Sequence, residues 1–130
     1  MSKETSVKAT LNDFLTKKIQ KEENKNKTID VYVTGMDKTL TLINPSEEQI
    51  LDYAAAIGDN SNLKANLEAN RKLIYKCCKE LQNPELHDLL EVKDPFDVPR
   101  VLFDMEDVQE IMNQFNDLLS HKNISEEIKN

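Results

Sequence analysis

Two adjacent cysteines, Cys77 and Cys78, are the first candidates for a chemical site in this sequence. Neighbouring positions on a helix point about 100° apart, so the two thiols do not form an ordinary disulfide with each other. A zinc site would need further ligands at finger or ribbon spacing, and the other soft ligands, His87 and His121, complete no CxxC, HxxxH or HExxH motif. We therefore expect both cysteines to be buried structural residues, with no metal site and no cofactor.

Carboxylates are the second candidates, because Asp94, Asp97 and Asp104 cluster in the segment from 94 to 104. They neither alternate nor surround a glycine, as an EF-hand loop requires, so we predict that Asp97 and Asp104 cap short helices instead. The chain has 2 glycines, and because they are 23 residues apart they cannot form a GxxxxGK or GxGxxG phosphate-binding loop; it also lacks a GxSxG nucleophile motif. The sequence therefore predicts a protein that is not an enzyme.

The net charge and its distribution along the chain indicate which kinds of partner the protein can bind. The chain has 130 residues and a formal net charge of -7, which does not favour binding to a nucleic acid. Residues 1–27 carry a net charge of +3, residues 28–83 of -2 and residues 84–130 of -8. There is no apolar run of about 18 residues and no secretory signal pattern, so we expect a cytoplasmic protein without a membrane partner.

A short amphipathic arm is predicted at the N-terminus. Four apolar residues fall on one face of a helix that begins near Thr10, with Asp13 as its capping partner. The stripe ends in lysine, glutamate and asparagine, which predicts a flexible linker over 21–27. The arm has no obligatory place in a core, so docking on a partner or on another copy competes with docking on its own body.

From residue 29 the hydrophobic period changes from helical spacing to alternation. This alternation predicts a β-hairpin over 29–43, with Gly35 at a turn position that needs a positive φ. Helices are then predicted over 47–57, with Ser46 and Gln49 as a capping box and Gly58 as terminator, and over 63–81.

Shorter helical segments are expected after residue 83. Asn83 and Pro84 predict a helix through Leu90, and a brief helix after Asp97 runs through Phe103. A final amphipathic helix has its apolar residues at helical spacing over 108–119, and residues 121–130 are expected to be a flexible tail.

This order of elements predicts an α+β fold that is predominantly helical, with one N-terminal hairpin packed on a bundle of about four to five helices. We divide the chain into an arm and linker (1–27), a single globular domain (28–120) and the tail (121–130). The final helix either completes the core or binds a partner. The candidate partner-binding residues on the arm and final helix are Leu11, Phe14, Leu15, Ile19, Ile111, Met112, Phe115 and Leu119.

Four segments between Leu11 and Leu119 form a recognisable series: LNDFL, KTLTLINPSEEQILDYAAAIGD, NRKLIYKCCKELQNPEL and VKDPFDVPRVLF. In this order, with a closing amphipathic helix, they resemble the tail assembly chaperones of contractile-tailed phages and PBSX-like prophages, the XkdN-like family. The most specific pieces of this resemblance are LIYKCC with the following LQNPEL, and KDPFDV with the LF that follows. The rest is a general amphipathic pattern.

The resemblance implies a non-enzymatic protein that binds the helical tape-measure protein, keeps it soluble and helps tail-tube protein assemble around it. It also implies that the chain acts in the cytoplasm of the bacterial host and is absent from the mature virion. The alternative is a small structural or adaptor protein of a phage tail that remains in the particle. A third and least favoured hypothesis is a metal-dependent enzyme that uses Cys77, Cys78 and His87.

Overall fold

The computed structural model describes residues 7–57 and 62–116 of the chain. Within these residues the fold is mostly helical, with one two-stranded antiparallel hairpin near the N-terminus. The predicted α+β, predominantly helical class is therefore confirmed. The predicted terminator Gly58 and the predicted tail lie outside the described residues.

Helix α1 spans Leu11–Lys25 and begins with the predicted capping box. The Asp13 backbone N–H donates to the Thr10 hydroxyl, and the Thr10 backbone N–H donates to the Asp13 carboxylate at 2.8 Å. The helix continues to Lys25, so the prediction of a flexible linker from residue 21 was wrong. Lysine, glutamine and glutamate are good helix formers, and Asn26 caps the last turn with its backbone N–H.

Strands β1 (Thr28–Val33) and β2 (Lys38–Ile43) form the predicted hairpin, with Val31 opposite Leu40. The positive φ of the connection falls on Asp37, at 51°, and not on Gly35 as predicted. Gly35 has a different role. A Cβ there would meet the Asp107 carboxylate at 3.0 Å, so the missing side chain lets the hairpin loop approach the helix that carries Asp107.

Helix α2 (Glu47–Ile57) begins with the predicted capping box, in which Ser46 and Gln49 exchange hydrogen bonds of 2.9 and 3.1 Å. Helix α3 (Leu63–Cys77) ends four residues earlier than predicted, because Cys78 is extended and a 3-10 helix follows over Lys79–Gln82. The Gln82 side-chain amide donates to two carbonyls of the last α3 turn, at 3.0 and 3.1 Å. The Gln82 side chain therefore satisfies two backbone carbonyls at the end of α3. In a longer helix, backbone N–H groups of the next turn would bond to these carbonyls.

Helix α4 (Pro84–Leu90) follows with Asn83 as its cap, as predicted. Asp97 makes no side-chain capping bond, contrary to the prediction, because the 3-10 helix Pro95–Asp97 runs directly into helix α5 (Val98–Leu102). Asp104 does cap the last helix: the Asp107 backbone N–H donates to its carboxylate at 2.9 Å. This last helix, α6, covers residues 105–116 of the described chain.

The core lies between the inner face of the hairpin and the helices α3, α5 and α6. Alternation along the strands turns one face inward, and the apolar face of α6 packs against it. No helix of the described ranges is long and apolar enough to cross a membrane. The fully buried core residues include Val31, Val33, Leu42, Ile74, Val98, Phe103, Val108, Ile111 and Phe115.

Candidate partner-binding site

The apolar face of α1 is open to solvent along its whole length. No residue of this helix is buried, and Leu11, Phe14, Leu15 and Ile19 remain 75, 64, 51 and 55% exposed. We call these four residues the α1 stripe. A soluble protein rarely exposes a contiguous apolar surface unless it binds something, so the α1 stripe is the candidate site.

Three lysines lie on one side of α1 at four-residue intervals, the first within the span of the α1 stripe and the other two beyond Ile19. Lys17, Lys21 and Lys25 recur at about one helical turn and follow the side of the helix on which Phe14 lies. We call them the lysine row. The basic charge of residues 1–27 is visible in the sequence, but the row depends on α1 continuing through Lys25, where a linker was predicted. Helix propensity over 20–25 is the signal that would have found it.

Two hydrogen bonds fix the point where α1 joins the hairpin. Asn44, just after β2, donates from its side chain to the Asn24 carbonyl and from its backbone N–H to the Lys27 carbonyl, each at 2.8 Å. The connection between α1 and β1 consists of Asn26 and Lys27 alone. The arm is therefore anchored at its C-terminal end while its stripe stays uncovered.

The candidate partner-binding residues predicted on the final helix are buried in the core. Ile111, Met112 and Phe115 are 0, 3 and 0% exposed and pack in the core, so a partner cannot reach them while the protein is folded. From the sequence, this helix could either complete the core or bind a partner, and in the structure it completes the core. Leu119 lies outside the described residues.

A shallow and largely open surface groove lies along α6, beside Tyr32 of β1. Its apolar contributions include Met105 and Tyr32, which are 52 and 42% exposed. Sequence reasoning missed this groove because its two sides are far apart in the chain. We call it the α6 groove, and it is lined by Tyr32, Met105, Glu106, Gln109, Glu110, Asn113 and Gln114.

Side chains of α6 form hydrogen bonds with the edge of β1 that does not pair with β2. The Gln114 amide accepts from the Tyr32 N–H and donates to the Tyr32 carbonyl, both at 2.8 Å. Glu110 accepts from the Thr34 backbone N–H at 2.7 Å and from the Thr34 hydroxyl. These bonds lower the pKa of the Glu110 carboxyl and occupy backbone groups that another strand would otherwise bind.

The cysteines do not form a reactive site. Cys77 and Cys78 are 2 and 0% exposed, as the sequence predicted. Burial, with a smaller contribution from the neighbouring Cys78, raises the pKa of the Cys77 thiol to about 12, and burial also raises the pKa of Cys78. Both residues are therefore protonated core thiols at neutral pH.

The contacts of His87 are also structural. Its Nε2 lies 2.9 Å from the Leu81 carbonyl and 3.4 Å from the Tyr75 hydroxyl, so the ring joins α4 to the end of α3. Over 7–57 and 62–116, no group of three or more histidine, cysteine or carboxylate residues is placed to hold a metal ion.

Comparison of the chain with protein-family models, with curated proteins and with solved structures finds no match. The interpretation of the α1 stripe therefore depends on its own geometry and charge.

Proposed function

We propose that this protein is a non-enzymatic phage or prophage tail assembly chaperone. It binds an amphipathic helical segment of a tape-measure protein, keeps that protein soluble and assists assembly of the tail tube. The observation that supports this proposal is the uncovered α1 stripe, on a helix that carries its own capping box. A preformed amphipathic helix can pair its apolar face with that of a second helix, without any chemical step.

The charge of the chain suits the same role. A long helical client with exposed apolar stripes aggregates through them, and covering a stripe with a protein of net charge -7 adds repulsion between complexes. The lysine row gives the interaction a preferred partner chemistry, because it attracts a client helix whose apolar face is bordered by acidic residues. In this proposal the chain acts in the host cytoplasm and leaves before the virion is complete.

Co-expression with the tape-measure protein of the same phage or prophage tests the proposal. We expect the chain to raise the soluble yield of the client and to co-elute with it in size exclusion. Phe14→Asp, at 64% exposure, should abolish both effects, because it places a charge in the α1 stripe. Leu51→Asp is the matched control, since Leu51 is 62% exposed on α2 and should tolerate the same change.

Three results would count against the proposal. Unchanged solubility of the client with the wild-type chain would remove the chaperone role, and full activity of Phe14→Asp would remove the α1 stripe as its site. Mass spectrometry of purified mature particles tests the release step. Stoichiometric amounts of this chain in the particles would favour the alternative, a structural or adaptor protein of the tail.

A further inference from the structure

Within residues 7–57 and 62–116, no part of the chain buries the α1 stripe. Each of its four members is at least 51% exposed, and the two-residue connection of Asn26 and Lys27 is held by Asn44. Folding α1 back onto the body would disturb this joint. A second molecule can cover the stripe while leaving the joint intact.

The body carries a surface with the complementary character. The α6 groove combines exposed apolar area from Met105 and Tyr32 with two carboxylates, Glu106 and Glu110, that are four residues apart on α6. The lysine row repeats at the same four-residue interval, which corresponds to about 6 Å along either helix. A helix that places its apolar stripe on Met105 and Tyr32 can therefore align successive lysines with successive glutamates.

Glu110 keeps its charge and its capacity for a further bond. Its hydrogen bonds from Thr34 hold the pKa of the carboxyl below the ordinary value, so it is ionised at neutral pH. A carboxylate has about four acceptor positions, and Thr34 uses two of them. Glu106 is exposed beside it.

We propose that the α6 groove binds the α1 helix of a second copy of this chain. The contact is reciprocal: each copy places its α1 stripe on the Met105 and Tyr32 surface of the other and its lysine row along Glu106 and Glu110. The result is an arm-exchanged dimer with twofold symmetry, in which both stripes are covered. This dimer needs no client and is tested with the chain alone. Because it covers the same α1 stripe that the proposed client would bind, a client helix must displace the second copy.

Sedimentation equilibrium of the full chain alone tests the dimer. We expect a monomer–dimer equilibrium that weakens with added salt, because the lysine and glutamate charges are screened. Phe14→Asp, which damages the arm, and Met105→Asp, which damages the groove, should each weaken association by at least about 100-fold. Leu51→Asp, at a similarly exposed leucine outside both surfaces, should dimerise like the wild type.

Mixing the two damaged variants gives the sharpest result. Phe14→Asp keeps an intact groove and Met105→Asp keeps an intact arm, so the mixture should form a heterodimer through one arm–groove contact at concentrations where neither variant dimerises alone. Circular dichroism of each variant first establishes that it is folded.

Charge reversal gives an independent test at exposed positions that do not threaten folding. Lys21→Glu and Glu106→Lys should each weaken the dimer by about fivefold, and the double variant should recover part of that loss. A chain that stays monomeric up to millimolar concentration overturns the proposal. So does a dimer that is lost in Phe14→Asp but unchanged in both Met105→Asp and Glu106→Lys, since the stripe would then bind elsewhere.

Discussion

Phe115→Ala should lower the free energy of unfolding strongly and Phe14→Ala should hardly change it, although both residues lie on apolar stripes of amphipathic helices. Phe115 is 0% exposed in the core, whereas Phe14 is 64% exposed on α1. Removing a fully buried phenylalanine costs about 3–5 kcal/mol, a large part of the roughly 5–15 kcal/mol that stabilises a whole domain. A largely exposed side chain changes the free energy of unfolding by about 0.5 kcal/mol or less.

Urea unfolding followed by far-UV circular dichroism measures this difference. With a urea dependence of about 2 kcal/mol per molar, Phe115→Ala should lower the midpoint by about 2 M, whereas Phe14→Ala should leave it nearly unchanged. The titration is run at a dilution where the chain is monomeric, because self-association would add its own stability. A comparable fall of the midpoint in both variants would refute the reasoning, since α1 would then pack on the body.

Three further predictions concern single groups. The thiol of Cys77 should resist alkylation in the folded protein and react fully in denaturant; since burial raises its pKa from 9.0 to about 12, the free energy of unfolding should fall as the pH rises from 9 towards 12. Thr10→Ala removes the cap of α1 and should reduce helicity by circular dichroism, at a cost of about 1 kcal/mol to that helix, with little effect on unfolding of the core. The pKa of Glu110 is lowered from its ordinary value of 4.5, so its contribution to stability is complete at neutral pH and lost as the pH falls below 4.5; Glu110→Gln should flatten that part of the acid unfolding curve.

Local signals in the sequence predicted most of the secondary structure. Side-chain caps at Thr10, Ser46 and Asp104 fix helix starts through bonds that span three residues, so the sequence alone locates them. The predicted ends of the helices were less accurate than their predicted starts. The end of α3 depends on Gln82 reaching back to carbonyls up to seven residues earlier, and no local pattern announces such a contact.

Of the two stripes that the sequence offered as candidate partner-binding surfaces, the structure leaves the α1 stripe exposed and buries Ile111, Met112 and Phe115 of α6. The stripes of α1 and α6 both have helical spacing, and spacing defines an apolar face without showing what covers it. The α6 residues Ile111 and Phe115 share a core with Val31 and Val33, about 80 residues away along the chain, and the sequence cannot reveal that pairing. The α6 groove was missed for the same reason, since Tyr32 and Met105 meet only after folding.

The local signals of α1 bear on its role, because isolated helices of about 12–15 residues are marginal in water. This helix has a capping box at one end, an Asn26 cap at the other and a Lys18–Glu22 pair at 3.9 Å between them. A helix held in a core receives its stability from packing, but α1 has no buried residue and depends on these local bonds. Because these local bonds favour the helix before anything covers its stripe, a binding partner has less of it to order. More of the free energy of covering Leu11, Phe14, Leu15 and Ile19 is then available for association.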